Sequence, residues 1–174
     1  MRSARKPALR VRSSDVRLLA SRYEYGIKAD ALLALIPEVR KNQCLTKRQL
    51  RTVANWKAPR SAGRMEGNHP QYVREITTIA LQAVSERARI ETLTLLDGVA
   101  WPTASVILHF FHRDRYPILD FRAAWSVGLE PPAQYGFEFW WQYVVCCRAL
   151  AKKCRVDMRT LDRALWQYSK ERQR

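Results

Sequence analysis

The sequence of 174 residues predicts an all-α protein, a compact bundle of about eight or nine helices. Apolar residues recur at the three- and four-residue intervals that mark one face of a helix. Residues that start or stop helices, chiefly Ser, Thr, Asp, Asn, Pro and Gly, divide these periodic stretches. No stretch alternates apolar and polar residues over a sustained run, so no sheet is predicted.

Four helices are predicted in the first half of the chain. Ser14 or Asp15 is expected to cap the first, and the second is expected to bend or end at Pro37. Thr46 is the expected cap of the third helix, and Asn68 of the fourth. The predicted apolar face of the fourth helix comprises Val73, Ile76, Ile79, Ala80 and Val84.

Five more helices are predicted in the second half. Two of them flank a turn at Gly98, and Asp120 is expected to cap a short helix that stops at Gly128. A Pro-marked loop and two longer helices follow, the last of them capped by Asp157. These five stretches cover residues 87–96, 102–111, 121–127, 137–153 and 158–174.

The length is that of one domain, either a single body or two small lobes that share one cleft. Residues 1–13 are rich in Arg and contain no acid. We expect them to form a flexible basic arm ahead of a domain over residues 14–174. A transit peptide is the alternative for this segment.

The chain carries a formal net charge of +15, with 31 basic residues against 16 acidic ones. Such an excess favours a polyanionic partner, either nucleic acid or an anionic membrane surface. Residues 39–65 hold eight bases and no acid, and residues 148–174 hold nine bases and three acids. No apolar run approaches the roughly 18 residues of a membrane span, and the clustered bases predict a phosphate-binding face.

The cysteines and histidines lack the spacing of a metal site. The cysteines offer no C-x-x-C pair, so we expect buried, reduced thiols and no transition metal. His112 and Arg113 are expected to place positive charge at the carboxyl end of the helix over residues 102–111. The cysteines are Cys44, Cys146, Cys147 and Cys154.

The segment LLDGVAWPTASVIL, residues 95–108, predicts a tight turn between two helices. Gly98 can adopt a backbone conformation closed to other residues, and Pro102 suits the first helical turn because it lacks an amide hydrogen. The backbone amides of Gly98, Val99 and Ala100 are then expected to bind a phosphate at the positive end of the helix dipole.

These residues resemble the helix-hairpin-helix DNA glycosylases, the HhH-GPD superfamily that includes endonuclease III-like repair enzymes. The family has a leucine, a Gly-hydrophobic-Gly turn and a Thr-Ala pair, with a catalytic aspartate beyond the second helix. Asp120 falls 22 residues after Gly98, within YPILDFRAAW. The resemblance is specific over residues 93–125 and follows the general helix order over residues 46–128. The matching hairpin positions are Leu95, Gly98, Val99, Ala100, Thr103 and Ala104.

Three departures refine what the resemblance implies. Ala100 stands at the second glycine of the turn, Pro102 stands where lyase members carry a lysine, and the four-cysteine iron–sulfur loop is missing. The resemblance therefore implies a monofunctional glycosylase without an iron–sulfur cluster, with a Schiff-base lyase as the alternative. It allows a monovalent cation at the hairpin carbonyls and implies no other cofactor.

Asp120 is the candidate catalytic residue. Cleavage of an N-glycosidic bond develops positive charge on the sugar. A carboxylate stabilises this charge and orients or deprotonates the attacking water. An aspartate is also a common helix cap, and Asp120 is able to serve in both roles.

The remaining site candidates are aromatic, polar and basic residues around these motifs. A glycosylase must extrude its target base and hold it against apolar or aromatic surfaces. The candidates for a base pocket or wedge are Trp56, Trp101, Asn55 and Trp125, with core packing the favoured interpretation of Trp125. The Pro/Gly loop within NWKAPRSAGR is the expected wedging segment. The DNA-backbone candidates are Gly98, Val99, Ala100, Thr103, Lys57, Arg60, Arg113, Arg115 and Arg122.

The expected function is removal of a modified or mispaired base from double-stranded DNA by a monomer that does not act at a membrane. The expected compartment is the cytoplasmic nucleoid of a prokaryote or the nucleus of a eukaryote. The first alternative is a non-catalytic nucleic-acid-binding protein of the same fold, and a membrane-surface protein ranks last. The altered base stays open between alkylated purines, oxidised guanine, deaminated or mismatched pyrimidines, and modified phage bases.

Overall fold

The computed structural model describes residues 9–24 and 29–173. Within these ranges the chain forms nine α-helices, two 3₁₀ segments and no β-strand, which confirms the all-α prediction. The 3₁₀ segments are Ser13–Asp15 and Pro59–Gly67. The helices are α1 (Val16–Ser21), α2 (Ala29–Asn42), α3 (Lys47–Lys57), α4 (Pro70–Gln82), α5 (Glu86–Leu93), α6 (Trp101–Phe111), α7 (Phe121–Ser126), α8 (Phe137–Cys154) and α9 (Met158–Arg172).

The chain divides into two helical units. Unit 1 combines the chain up to Tyr23 with Leu119–Arg174 and holds α1, α7, α8 and α9. Unit 2 is Glu24–Ile118 and holds α2 to α6. Asp120 therefore belongs to unit 1, and the turn at Gly98 belongs to unit 2.

In unit 1, α9 packs against α1, α7 and α8. Trp140 and Tyr143 of α8 and Leu165 of α9 are fully buried. Burial of large apolar side chains stabilises a fold by about 1.5–3 kcal/mol for each one. These residues therefore form the core that holds α7, and with it Asp120, in place.

The amino-terminal segment is packed within unit 1 from residue 10 onward. The Arg10 amide donates to the Ser126 carbonyl at 3.2 Å, and its guanidinium donates to the Trp125 carbonyl at 2.7 Å. Val11 is 2% exposed. The later part of the segment 1–13 is therefore packed against the protein, which corrects the prediction of a flexible arm there. Residues 1–8 lie outside the described residues.

In unit 2, α4 packs against α5, and α6 packs against α2, α3 and α5. Leu50 of α3, Val73 of α4 and Ile107 of α6 are fully buried. Eight of the eleven residues of α6 are buried, so this helix has almost no polar face and forms the centre of unit 2.

The helix α2 does not end at Pro37 but continues to Asn42. Proline lacks the amide hydrogen that would bind the carbonyl of Leu33, one turn earlier. Both Pro37 and Leu33 lie on the exposed side of the helix, where water can bind that carbonyl. The missing hydrogen bond is therefore tolerated, which explains why the helix runs past the proline.

Of the five predicted caps, those at Thr46, Asp120 and Asp157 are confirmed, and those at Ser14 or Asp15 and at Asn68 are not. Thr46 caps α3 through a capping box, in which its hydroxyl accepts from the Gln49 amide at 3.2 Å and its amide donates to the Gln49 side chain at 2.8 Å. Asp157 caps α9 by accepting from a helix amide at 2.8 Å. At α1, the Ser14 hydroxyl donates to Asp15 and neither side chain caps the helix.

The start of α4 and its apolar face also differ from the predictions. His69 caps this helix by accepting from a helix amide at 3.3 Å, and Asn68 does not. The helix ends at Gln82, so Val84 lies beyond it and is 97% exposed. Ile79 is 53% exposed because it lies outside the face that packs against the core of unit 2.

Candidate nucleic-acid interface and candidate catalytic carboxylate

Gly98 lies in the turn between α5 and α6 in a left-handed conformation, with φ +77°. A Cβ at this position would lie 2.9 Å from Met65 Cγ and 3.2 Å from the Met65 amide nitrogen. The turn therefore rests against the 3₁₀ segment Pro59–Gly67. Both its backbone conformation and the lack of space require glycine here, as the sequence predicts.

The amides of this turn are not all available to a phosphate. The Val99 amide donates to the Leu96 carbonyl at 3.0 Å, which corrects its predicted place in the phosphate site. The amides of Gly98 and Ala100 donate to no acceptor within the described residues. Thr103 is 2% exposed, so it can support the turn from inside but cannot contact a ligand through its side chain.

Asn68 ties the turn to the 3₁₀ segment. Its side-chain amide donates to the carbonyls of Met65 at 3.1 Å and Asp97 at 3.0 Å. Its carbonyl oxygen accepts from the Asp97 amide at 2.9 Å. Asn68 is predicted from sequence as a helix cap, because no local pattern indicates a partner 29 residues away.

Replacing Asn68 with aspartate tests this clamp. The change removes two donated hydrogen bonds and places a carboxylate oxygen against two carbonyls. We expect the free energy of unfolding to fall by about 1–3 kcal/mol in urea titrations, since buried acceptors lose their partner. The same substitution at exposed Asn55 should change the value by less than about 0.5 kcal/mol. Equal effects at the two positions would contradict the clamp.

Arg64 and Asp97 place an exposed cation and an exposed carboxylate beside the turn. The Cβ of Arg64 lies 3.2 Å from the position that a Gly98 Cβ would take. Arg64 lies in the acid-free stretch of residues 39–65 but is not a predicted site residue, because only the folded 3₁₀ segment brings it to the turn. A phosphate at the turn would be attracted by Arg64 and repelled by Asp97.

A surface groove of about 590 Å³ runs along α3. Glu66, which follows the acid-free stretch, pairs across this groove with Lys47 at 3.5 Å and with Arg51 at 3.1 Å. Although residues 39–65 contain no acid, Glu66 lies beside their cations in the folded chain. The groove is therefore lined by three cations and one carboxylate. Its lining residues are Lys47, Arg48, Arg51, Thr52, Asn55 and Glu66.

The predicted wedge residues lie on helical structure and not in a loop. Asn55, Trp56 and Lys57 are in the last turn of α3, and Arg60 lies exposed in the 3₁₀ segment, which replaces the predicted Pro/Gly loop. Asn55 is exposed and lines the groove. Trp56 is half-buried and packs edge-on against the Phe110 ring at 5.7 Å between centroids, so this indole already has a structural role.

The remaining candidates of unit 2 lie at the two ends of α6. Trp101 is the first residue of the helix and is half-buried. Arg113 and Arg115 follow the helix and are both exposed. His112 is 4% exposed, and burial, followed by the charge of Arg89, lowers its pKa. His112 is therefore neutral at pH 7, which corrects the predicted cation at this helix end.

Asp120 is the cap of α7, as predicted. One of its carboxylate oxygens accepts from the Arg122 amide at 2.9 Å. The preceding residues Ile118 and Leu119 are buried, whereas Asp120 is half-buried and keeps contact with solvent. The carboxylate is thus anchored at a helix start without being sealed inside the protein.

Three tyrosines of unit 1 lie within the electrostatic reach of Asp120. Burial and then the charges of Asp162 and, last, Asp120 raise the pKa of Tyr23 to about 12. Burial and then Asp120 raise the pKa of Tyr135. The pKa of Tyr143 is raised well above its usual value, mainly by burial, then by Cys147 and Asp162, and least by Asp120. These phenols therefore stay protonated at neutral pH.

These tyrosines are not predicted from sequence, because they come from three separate places in the chain. Tyr23 follows α1, Tyr135 precedes α8, and Tyr143 lies within α8. Nothing in their spacing relates them to Asp120. Tyr143 is fully buried and supports the site from inside, while Tyr23 and Tyr135 are half-buried and can contact a ligand.

Arg122 and Trp125, the other two candidates of unit 1, both have aromatic or cationic neighbours. The Arg122 guanidinium lies 5.1 Å from the Phe121 ring and 5.8 Å from the Trp166 ring. The Trp125 ring stacks on Tyr168 at 6.0 Å, and the Arg10 guanidinium lies 4.4 Å from its centre. This packing favours the structural alternative for Trp125 over a base-contacting role.

The described residues contain neither a metal site nor a membrane-spanning helix. Among them, no group of three or more His, Cys, Asp and Glu side chains could hold a metal ion. No helix of residues 9–24 and 29–173 has the length and apolar character to cross a membrane. All four cysteines are free, but only Cys147 is buried, and burial raises the pKa of both Cys146 and Cys147.

No protein family, no curated protein and no solved structure matches this chain. The helix-hairpin-helix resemblance therefore rests on the residues of the turn and on the spacing to Asp120 alone.

Proposed function

We propose that this protein is a DNA glycosylase that hydrolyses the N-glycosidic bond of an altered base extruded from double-stranded DNA. The proposal rests on one observation above all. Asp120 combines a fixed position at the start of α7 with partial exposure and two half-buried tyrosines nearby. This combination suits a carboxylate that must meet a sugar and a water molecule.

The reaction needs only water as a second reactant. The bond between the base nitrogen and C1′ of the sugar breaks, and positive charge develops on the sugar ring. The Asp120 carboxylate stabilises this charge and accepts a proton as the water oxygen bonds to C1′. The base leaves with the bonding electron pair and takes a proton from solvent, and Asp120 then returns the proton it accepted to solvent. Tyr135 and Tyr23 would offer phenol donors and aromatic faces beside the extruded nucleotide.

The distribution of charge supports a DNA partner. In unit 2, the α3 groove presents Lys47, Arg48 and Arg51 against a single carboxylate, and Arg60 is exposed nearby in sequence. The Gly98 and Ala100 amides add two uncharged donors at the start of α6. These groups contact phosphates and read no sequence, so affinity should fall steeply as salt is raised.

A panel of duplexes tests the activity. Each duplex carries one altered base, is incubated with the purified chain and is then treated with alkali, which cuts the strand at an abasic site. We expect cleavage at one class of lesion and an intact undamaged control. Intact strands across alkylated, oxidised, deaminated, mismatched and phage-modified bases would reject the glycosylase proposal.

The second candidate is a non-catalytic nucleic-acid-binding protein. It is favoured by the hydrogen bond from the Arg122 amide, because a capping role alone would explain why an aspartate stands at position 120. The two candidates share the basic groove and the turn. They differ in whether a bound duplex loses a base, and the lesion panel measures this directly.

A further inference from the structure

A second cavity, of about 370 Å³, lies in unit 2 and shares no lining residue with the α3 groove. Its volume is within the range of small-molecule pockets and far below the size of a duplex. Its walls come from α2, from the end of α4, from α5 and from the end of α6. The lining residues are Arg40, Gln43, Leu81, Gln82, Ala83, Arg89, Phe111, His112 and Arg113.

The cavity is strongly basic. Arg40, Arg89 and Arg113 line it, and none of its lining residues is acidic. Arg113 forms no hydrogen bond or ion pair with any residue that the structure describes. Among the described residues, the Arg40 guanidinium donates only to the carbonyls of Phe110 and His112, at 3.4 and 3.5 Å, and has no carboxylate partner.

Arg89 is a buried cation with a fixed orientation. It is 6% exposed and donates to Glu86 at 2.9 Å, to the Tyr116 hydroxyl and to the Ala83 carbonyl. Its Nε has no hydrogen-bond partner among the described residues. Glu86 also accepts from Tyr116, so this one carboxylate is shared. A buried guanidinium held in this way is pre-organised for a planar or tetrahedral anion.

The positive field of Arg89 reaches the wall of the cavity. It contributes, after burial, to the lowered pKa of His112, whose Nδ1 accepts from the Asp114 amide at 2.9 Å. A neutral His112 adds no charge of its own. Glu86 and Asp114 act on His112 in the opposite sense, but neither lines the cavity, so the lining itself carries three positive charges and no negative one.

The uncharged part of the lining has the character of a nucleoside site. Leu81 and Phe111 supply apolar surface, and Gln43 and Gln82 supply side-chain amides that can both donate and accept. Inorganic phosphate would use only the arginines. A ligand that joins a phosphate to a flat, polar-edged ring would use all three kinds of group.

We propose that this cavity binds a nucleoside monophosphate, with the phosphomonoester between Arg40, Arg89 and Arg113 and the base toward Gln43 and Gln82. A phosphomonoester carries close to two negative charges at neutral pH, which complements three guanidinium groups better than a backbone phosphodiester does. The proposal goes beyond the glycosylase function, since the site needs neither DNA nor Asp120. It also gives Arg113 a role different from the predicted DNA clamp.

Calorimetric titration of the full chain tests the proposal. The four deoxynucleoside 5′-monophosphates, one unphosphorylated deoxynucleoside and inorganic phosphate are added separately. We expect saturable 1:1 binding of at least one monophosphate, at least tenfold weaker binding of inorganic phosphate, and none of the nucleoside. Absence of saturable monophosphate binding would overturn the site, and equal affinity for inorganic phosphate would overturn the nucleoside part.

Substitutions locate the binding. Arg40→Gln and Arg113→Gln should each weaken monophosphate binding at least tenfold, and both residues are exposed enough to change without unfolding the chain. Lys41→Gln is the matched control, because Lys41 follows Arg40 on α2, carries the same charge and does not line the cavity. An equal effect of all three substitutions would show general charge attraction and overturn the site. Asp120→Asn should leave this affinity unchanged, which separates the result from that of the glycosylase test.

Discussion

Replacing Asp120 with asparagine is expected to abolish base release while DNA binding and folding are retained. Asparagine keeps the oxygen that accepts from the Arg122 amide at 2.9 Å, and asparagine is as good a helix cap as aspartate. It loses the negative charge that stabilises the developing cation and the base that accepts the water proton. The rate of base release in single-turnover assays should fall by about 10²–10⁴-fold.

Asp157→Asn is the matched control for this experiment. Asp157 caps α9 in the same unit and also accepts from a helix amide, at 2.8 Å, but it is exposed and lies at a different helix start. The rate of base release by Asp157→Asn should stay within about twofold of the wild-type rate, because only a cap is altered. If Asp120→Asn and Asp157→Asn retain equal rates, Asp120 acts only as a cap. Duplex affinity, measured in the same buffer, should be unchanged in both variants.

The parts of the fold that sequence reasoning predicts are those fixed by neighbouring residues. The caps at Thr46, Asp120 and Asp157 follow from side chains that bind amides two or three residues ahead. The left-handed Gly98 follows from a glycine between two apolar helical stretches. Each of these features can be read from a window of about one helical turn.

The errors in the fold prediction arise where the surroundings of a residue in the folded chain decide. Asn68 has the residue type of a cap, but its partner Asp97 becomes its neighbour only after α4 and α5 have formed. Pro37 has the residue type of a helix bend or stop, but α2 continues to Asn42 with the Leu33 carbonyl on its exposed side, where water can bind it. Local propensity is a weak prior: a tertiary contact overrides it at Asn68, and solvent lowers its cost at Pro37.

The same distinction applies to the candidate sites. Sequence alone selects Asp120, because its residue type and its distance from Gly98 form a pattern. It does not select Tyr23 and Tyr135, which lie far apart in the chain. Nor does it select the cavity of unit 2, whose three arginines come from α2, α5 and the residue after His112. Clusters assembled across helices require the fold.

Replacing Gly98 with alanine is expected to destabilise unit 2 more than any other conservative change in the turn. A residue other than glycine at φ +77° costs about 1–2 kcal/mol. The added Cβ would also lie 2.9 Å from Met65 Cγ and 3.2 Å from the Met65 backbone nitrogen, and overpacking of this kind costs about 1–3 kcal/mol. The side-chain carbon can move, but the backbone nitrogen is held in the 3₁₀ segment that Asn68 ties to the turn.

The free energy of unfolding in urea should therefore fall by about 2–5 kcal/mol in Gly98→Ala. Gly63→Ala is the matched control, since Gly63 lies in the same 3₁₀ segment, has no atom within 4 Å of an added Cβ and is exposed. Its unfolding free energy should change by less than about 0.5 kcal/mol. Equal stability of the two variants would mean that the turn tolerates a side chain. Because the turn carries both the Gly98 and Ala100 amides, such tolerance would also remove the structural reason for placing a phosphate there.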